Sequence, residues 1–117
     1  YNEGACKIET SIGTINVEFV KIATYGDGNL YVDGDKIPSG AIWRKLERGD
    51  KFTKFGGGTK KLKDYLIDKK VPARLRATLP VLASENEVYA IAGVEISNKV
   101  RLDQETKSAY MIEFIQE

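Results

Sequence analysis

Residues 51–76 read KFTKFGGGTKKLKDYLIDKKVPARLR: a triple glycine, a run with helical spacing, then a proline that restarts the chain. Leu62, Tyr65, Leu66 and Lys69 recur at intervals of three and four, which predicts an amphipathic helix over residues 60–70 with Thr59 as its N-cap. Lys60, Lys63 and Lys70 fall along one flank of that helix, giving it a core face and a basic shoulder. Pro72, which has no N–H to leave unpaired, predicts a second short helix with the proline at its first position, and Pro80 is expected to end it. Ahead of both, Gly56, Gly57 and Gly58 carry no side chains, so the backbone there can reach positive φ or lie very close to another backbone.

On either side of this stretch the pattern is that of strands. Ile15, Val17 and Phe19 alternate with Asn16 and Glu18, and the apolar side switches at Val20 and Ile22 as it would at a bulge. Residues 25–29 read as a turn, 30–32 as a short strand stopped by Asp33-Gly34-Asp35, 37–40 as a second break and 41–46 as a strand ending before Gly49-Asp50. Residues 81–83, 88–94, 95–102 and 110–115 read as further strands, joined at 84–87 and 103–106. Strands, two short helices, then strands again, with no βα alternation, predict an α+β domain with a mostly antiparallel sheet. At 117 residues the chain reads as one domain, with no internal repeat.

Charge is distributed unevenly along this frame. The quoted stretch holds nine Lys/Arg against Asp64 and Asp68, a balance of +7, so in a chain of net charge +1 the remainder carries −6. A basic stripe around a glycine cluster points to a polyanion such as nucleic acid, and the competing reading is a lysine-rich face that only keeps a helix solvated. Lys69 and Lys70 also suit the negative end of a helix dipole.

Composition excludes several chemistries. With one cysteine and no histidine, zinc-ligand spacings and Ser-His or Cys-His nucleophile pairs are ruled out. The lone Cys6 fits a reducing cytosol, and a cytoplasmic location is expected. Asp33/Asp35 and Glu85/Glu87 lie in turn-like stretches and read as solvated turn residues rather than a catalytic dyad. The longest apolar run, residues 88–94, is far shorter than the roughly 20 residues of a membrane span. Residues 56–61, GGGTKK, have neither the G-x-x-x-x-G-K-[ST] nor the G-x-G-x-x-G spacing of a mononucleotide site. A polyphosphate backbone fits better, with loop N–H groups, the helix start and Lys60, Lys61 and Lys63 converging on phosphate oxygens. A chain starting at Tyr1 reads as an excised domain, and part of a parent protein is expected to lie beyond it.

Taken in order, these motifs resemble one family. Gly49-Asp50-Lys51-Phe52, Phe55-Gly56-Gly57-Gly58-Thr59-Lys60-Lys61-Leu62-Lys63-Asp64-Tyr65-Leu66, Lys69-Lys70-Val71-Pro72-x-x-Leu75-Arg76, Leu79-Pro80-Val81-Leu82, Ala92-Gly93-x-x-Ile96-Ser97 and Val100 resemble the C-terminal domain of bacterial tRNA(Ile)-lysidine synthases. The match is clear over residues 41–117 and extends back to about residue 30 through Val32-Asp33-x-Asp35-Lys36-Ile37-Pro38. Residues 1–40 supply leading strands, of which 1–29 match only loosely. Leu46 departs from the family, which often has Arg or Trp there.

The resemblance implies a β-sandwich-like core with helices packed on it, related to a domain of the phenylalanyl-tRNA synthetase β subunit. It implies a parent ligase that uses ATP and magnesium to join lysine to the wobble cytidine of tRNA(Ile). That chemistry belongs to an N-terminal catalytic domain absent from residues 1–117, so no catalytic residue, metal or cofactor is expected here. This piece is then expected to position the tRNA acceptor stem. Lys60, Lys61, Lys63, Arg74 and Arg76 are the expected phosphate contacts, Arg44 and Arg48 come second, and Gly56, Gly57 and Gly58 let the backbone approach the stem. Lys54 and Lys70 are left open between contact and solvation. Further expected partners are the protein's own catalytic domain and a second copy of the parent in a homodimer. The alternative is a structural module that binds no RNA and docks on the catalytic domain or another subunit through apolar residues near Trp43 and Phe55.

Overall fold

The computed structural model describes residues 6–10, 13–20, 30–106 and 109–116. In chain order the elements are β1 (Cys6–Thr10), β2 (Gly13–Val20), β3 (Leu30–Asp33), β4 (Ile42–Lys45), β5 (Lys51–Thr53), β6 (Thr59–Lys61), α1 (Leu62–Asp68), α2 (Ala73–Arg76), β7 (Pro80–Ser84), β8 (Glu87–Ile91), β9 (Glu95–Ile96) and β10 (Ala109–Gln116). Single 3-10 turns follow β3 at Gly34–Lys36 and β9 at Asn98–Val100. The strands form two sheets. One has the order β1-β2-β10-β3, and the other β4-β7-β8-β5-β6 with β9 also paired to β8. Among the described residues all pairings are antiparallel except β5 with β8, so the α+β, mostly antiparallel architecture read from the sequence is the one observed.

Three layers explain the burial pattern. Ile15, Val17, Val32, Tyr110 and Ile112 of the first sheet pack on Leu82, Ala90 and Ile96 of the second. On the far face of the second sheet, Val81, Ala83, Val88 and Ile91 meet Phe52, Leu62, Tyr65 and Leu66 of the hairpin and α1. Strand β7 therefore lies between layers, which is why Val81, Leu82 and Ala83 are all buried without alternation. In β8 the register shifts opposite Leu82/Ala83, so that Val88 and Ala90, two residues apart, face different layers. A bulge does this by adding one residue to one strand. It also splits the outer edge of β8 between β5 at Glu87 and Val88 and β9 at Ala90 and Ile91.

Several boundaries differ from expectation. Residues 59–61 are not helical: they pair with Lys51–Thr53, and α1 begins at Leu62, whose N–H donates to the Asp50 carbonyl at 2.9 Å. Thr59 consequently caps nothing, and its hydroxyl hydrogen-bonds Thr53 across the hairpin at 2.9 Å. Strand pairing satisfies these backbone groups sooner than a costly first helical turn would. Pro72 sits at the N-cap of α2 rather than inside it, and Pro80 opens β7 instead of closing a helix that already ends at Arg76. The expected strands over 88–94 and 95–102 shorten to β8 and β9, because Gly93, at φ +72°, turns the chain and Ser97 starts a 3-10 turn. Strands β1, β5 and β6 had no expected counterpart. The anticipated change of side beyond Val20 and the turn at 25–29 lie outside the described residues.

Helix α1 ends in a Schellman motif. The Val71 N–H reaches the Leu66 carbonyl at 3.0 Å, and the Lys70 N–H reaches that of Ile67 at 2.9 Å. The residue that must adopt the left-handed conformation is Lys70, at φ +60°, where glycine is usual. Lys70→Gly is therefore expected to stabilise the domain by about 1 kcal/mol, read as a higher urea midpoint. An unchanged or lower midpoint would show that the lysine side chain compensates for its backbone strain.

Candidate nucleic-acid interface

The triple glycine closes the β5–β6 hairpin. Gly56 and Gly57 take φ of +94° and +91°, the Gly57 N–H donates to the Lys54 carbonyl at 3.0 Å, and the Lys54 N–H to that of Gly58 at 3.0 Å. A Cβ on Gly56 or Gly57 would meet no atom within 4 Å. Backbone conformation, not crowding inside the chain, thus requires these glycines, and the loop presents bare exposed backbone.

Positive charge flanks that loop. Lys51 and Lys61 are Cα partners across the hairpin, both exposed, and Lys63 follows on the first turn of α1, also exposed. Like charges directly opposite in an antiparallel pair are destabilising, and among the described residues no carboxylate pairs with these three. Lys60 points elsewhere: it forms an ion pair with Asp68, holding that exposed carboxyl below the usual carboxylate range by a direct hydrogen bond. A groove of about 320 Å³ lies here, where Lys54, Lys60 and Lys69 outnumber Asp68 and Glu95 around Tyr65, with the Lys69 ammonium 5.6 Å from the centre of the Tyr65 ring. Lys69 also borders a second groove of about 390 Å³ together with Lys70 and Pro72. The cationic surface therefore runs from the hairpin past the end of α1 toward α2.

The other expected contacts fall less uniformly. Arg74 is exposed on α2, while Arg76 is half-buried and donates one guanidinium N–H to the Val71 carbonyl at 2.9 Å. Arg48 is exposed in the turn before Asp50. Arg44 has a different task. Its side chain is 13% exposed; it grips both Asp50 oxygens at 2.9 Å and also donates to the Lys45 and Glu85 carbonyls at 2.9 and 2.6 Å. A guanidinium so engaged has little left for a phosphate, and Arg44 serves the scaffold. At the start of α1 the first N–H, that of Leu62, is likewise committed, donating to the Asp50 carbonyl at 2.9 Å.

Asp50 is what holds the hairpin in place. Burial pushes its carboxyl up, but the Arg44 fork, the Glu47 N–H at 2.8 Å and the Asn86 amide at 3.2 Å outweigh this and keep it below the ordinary range. The Lys51 N–H donates to the Asn86 carbonyl at 2.8 Å, and the buried Ser97 hydroxyl donates to the Thr53 carbonyl at 3.2 Å. The basic strands are thereby tied to the β7–β8 turn and to the loop after β9. Leu46, the family departure, is half-buried and packs against the helix-side core. Asp33 and Asp35 build a turn: Asp33 accepts the Asp35 N–H and the Thr106 hydroxyl, both at 3.0 Å.

Sequence reasoning missed Lys51 as a member of this face. The signal was available in the mirror arrangement of Lys51 and Thr53 against Thr59 and Lys61 about the glycine loop, which is the signature of a hairpin.

Comparison with known proteins agrees with the fold and the motifs. Residues 42–113 match the family described as the TilS substrate C-terminal domain. The tRNA(Ile)-lysidine synthase of Caldanaerobacter subterraneus subsp. tengcongensis is 33% identical over 97% of this chain, and that of Clostridium tetani is 40% identical over 70% of it. The matched stretches are 26% and 18% of those two proteins, so the chain spans about a quarter or less of their length. A crystal structure of a TilS C-terminal domain superposes with a TM-score of 0.77 at 21% identity, covering 95% of this chain and 90% of that one, a likeness of fold. The two-sheet domain with its lysine-flanked hairpin belongs to the C-terminal domain family of the tRNA(Ile)-lysidine synthases.

Proposed function

We propose that this domain holds the acceptor stem of a tRNA by its phosphate backbone while a separate catalytic domain of the same protein, using ATP and magnesium, joins lysine to the wobble cytidine of tRNA(Ile). The domain itself contributes no reacting group. The observation that carries the reading is the exposed Lys51–Lys61 cross-strand pair, followed by Lys63 on α1, on a hairpin whose loop at Gly56 and Gly57 is open backbone. Such a concentration of unpaired charge works against the fold and in favour of a polyanionic ligand. Lys61, Lys63 and Lys51 make the main phosphate contacts. Arg74, Arg76, Lys69 and Lys70 extend them along the stem, Lys60 contributes after parting from Asp68, and Arg48 lies at the margin. A-form RNA hides base edges in a deep, narrow major groove, so a lysine face of this kind recognises shape and backbone rather than sequence.

The competing reading, a module that docks on the catalytic domain without touching RNA, draws on Ile42, 59% exposed beside the half-buried Trp43. One titration separates them. The chain is expected to bind an acceptor-stem minihelix saturably, with affinity falling steeply as salt rises, and to bind an unpaired strand of the same composition more weakly. Affinity that ignores salt, or that is equal for paired and unpaired RNA, would contradict the stem-holding role.

A further inference from the structure

Phe55 sits at the tip of the hairpin, 47% exposed, between Lys54 and Gly56. It is the one aromatic among the large exposed apolar side chains of the described residues. It forms a wall of two depressions: the lysine groove described above, and a cleft of about 380 Å³ lined also by Leu30, Ile96, Leu102, Glu95 and Arg101. That second cleft is apolar at its base. Arg101 at its rim is exposed, and among the described residues no carboxylate pairs with its guanidinium. Glu95 is half-buried and accepts the Ile96 N–H at 3.0 Å with one oxygen, leaving acceptor capacity on the other.

An aromatic face, an apolar floor, one cation and one carboxylate acceptor match the parts of a single unpaired nucleotide. Base stacks on ring, phosphate meets guanidinium, and an exocyclic amine donates to the carboxylate. We propose that the cleft between Phe55 and Arg101 seats an unpaired, amine-bearing nucleobase that extends from the end of the stem held by the lysine hairpin. This rests on the stem-holding reading, since Phe55 shares its loop with Gly56, Gly57 and Gly58. Charge favours a nucleotide over an apolar segment of protein, because the exposed Arg101 offers an unpaired cation at the cleft and Glu95 is the one carboxylate among the described residues that line it.

The test compares the chain's affinity for a blunt RNA duplex with that for the same duplex carrying a short 3′ overhang of A, C or U. An overhang of A or C is expected to tighten binding about tenfold, and U less, because uracil lacks the amine. Phe55→Ala and Arg101→Ala should each remove most of that increment while leaving blunt-duplex affinity and thermal melting unchanged, and Glu95→Gln should narrow the gap between A and U. Equal affinity for blunt and overhanging duplexes, or an increment that survives Phe55→Ala in the folded variant, would overturn the nucleotide site and leave the stem-holding reading standing. Failure to bind either RNA would overturn both.

Discussion

Asp50→Ala is expected to lower the free energy of unfolding by about 3 kcal/mol, a large share of the total for a domain of this size. The carboxylate is 3% exposed and is the shared acceptor for Arg44, Asn86 and the Glu47 N–H. Truncation leaves a mostly buried guanidinium and a backbone donor without their partner, and that desolvation cost, not the loss of attraction, dominates. A urea titration measures it. A loss below about 1 kcal/mol, the range of an exposed ion pair, would show that the network only decorates the turn. Acid should reproduce part of the effect. Because the Asp50 carboxyl titrates lower in the folded chain than its ordinary value of 3.8, its contribution is complete above that pH and disappears as the pH falls through the lower folded value. Asp50→Asn should flatten that acid limb of the stability profile.

The fold was legible where a pattern had a single physical reading. Alternation at Ile15 and Val17 marked a half-buried strand, and the helical stripe of Leu62, Tyr65 and Leu66 marked the face that seats against Phe52 and Val88. Where two local structures compete, the outcome depends on a distant partner that no local window contains. Residues 59–61 have helix-compatible spacing, yet Lys51–Thr53 lies within reach through a five-residue glycine loop and captures them as a strand. The Ala92-Gly93-Val94 segment reads as the end of an apolar strand, but the Gly93 position packs against Phe114 so closely that an added Cβ would lie 3.1 Å from its ring, and the chain turns there. Charge was the least legible property. Arg44, Lys60 and Lys61 look alike in the sequence, and only tertiary structure separates the guanidinium gripping Asp50 from the lysine paired with Asp68 and from the lysine facing Lys51.

The salt dependence of stem binding in a Lys51→Gln, Lys61→Gln, Lys63→Gln triple variant tests the central claim most directly. Glutamine keeps length and helix propensity, and removing a like-charge pair from the hairpin relieves repulsion, so the variant should fold at least as well as the parent chain. If the three ammonium groups meet phosphates, the slope of log affinity against log salt should fall by roughly 2 to 3 in magnitude, and low-salt affinity should drop at least about tenfold for stems of any sequence. Lys60→Gln alone should change the slope less, because its partner Asp68 already holds that charge. A folded triple variant with the parent slope and affinity would mean that the hairpin face does not hold the stem.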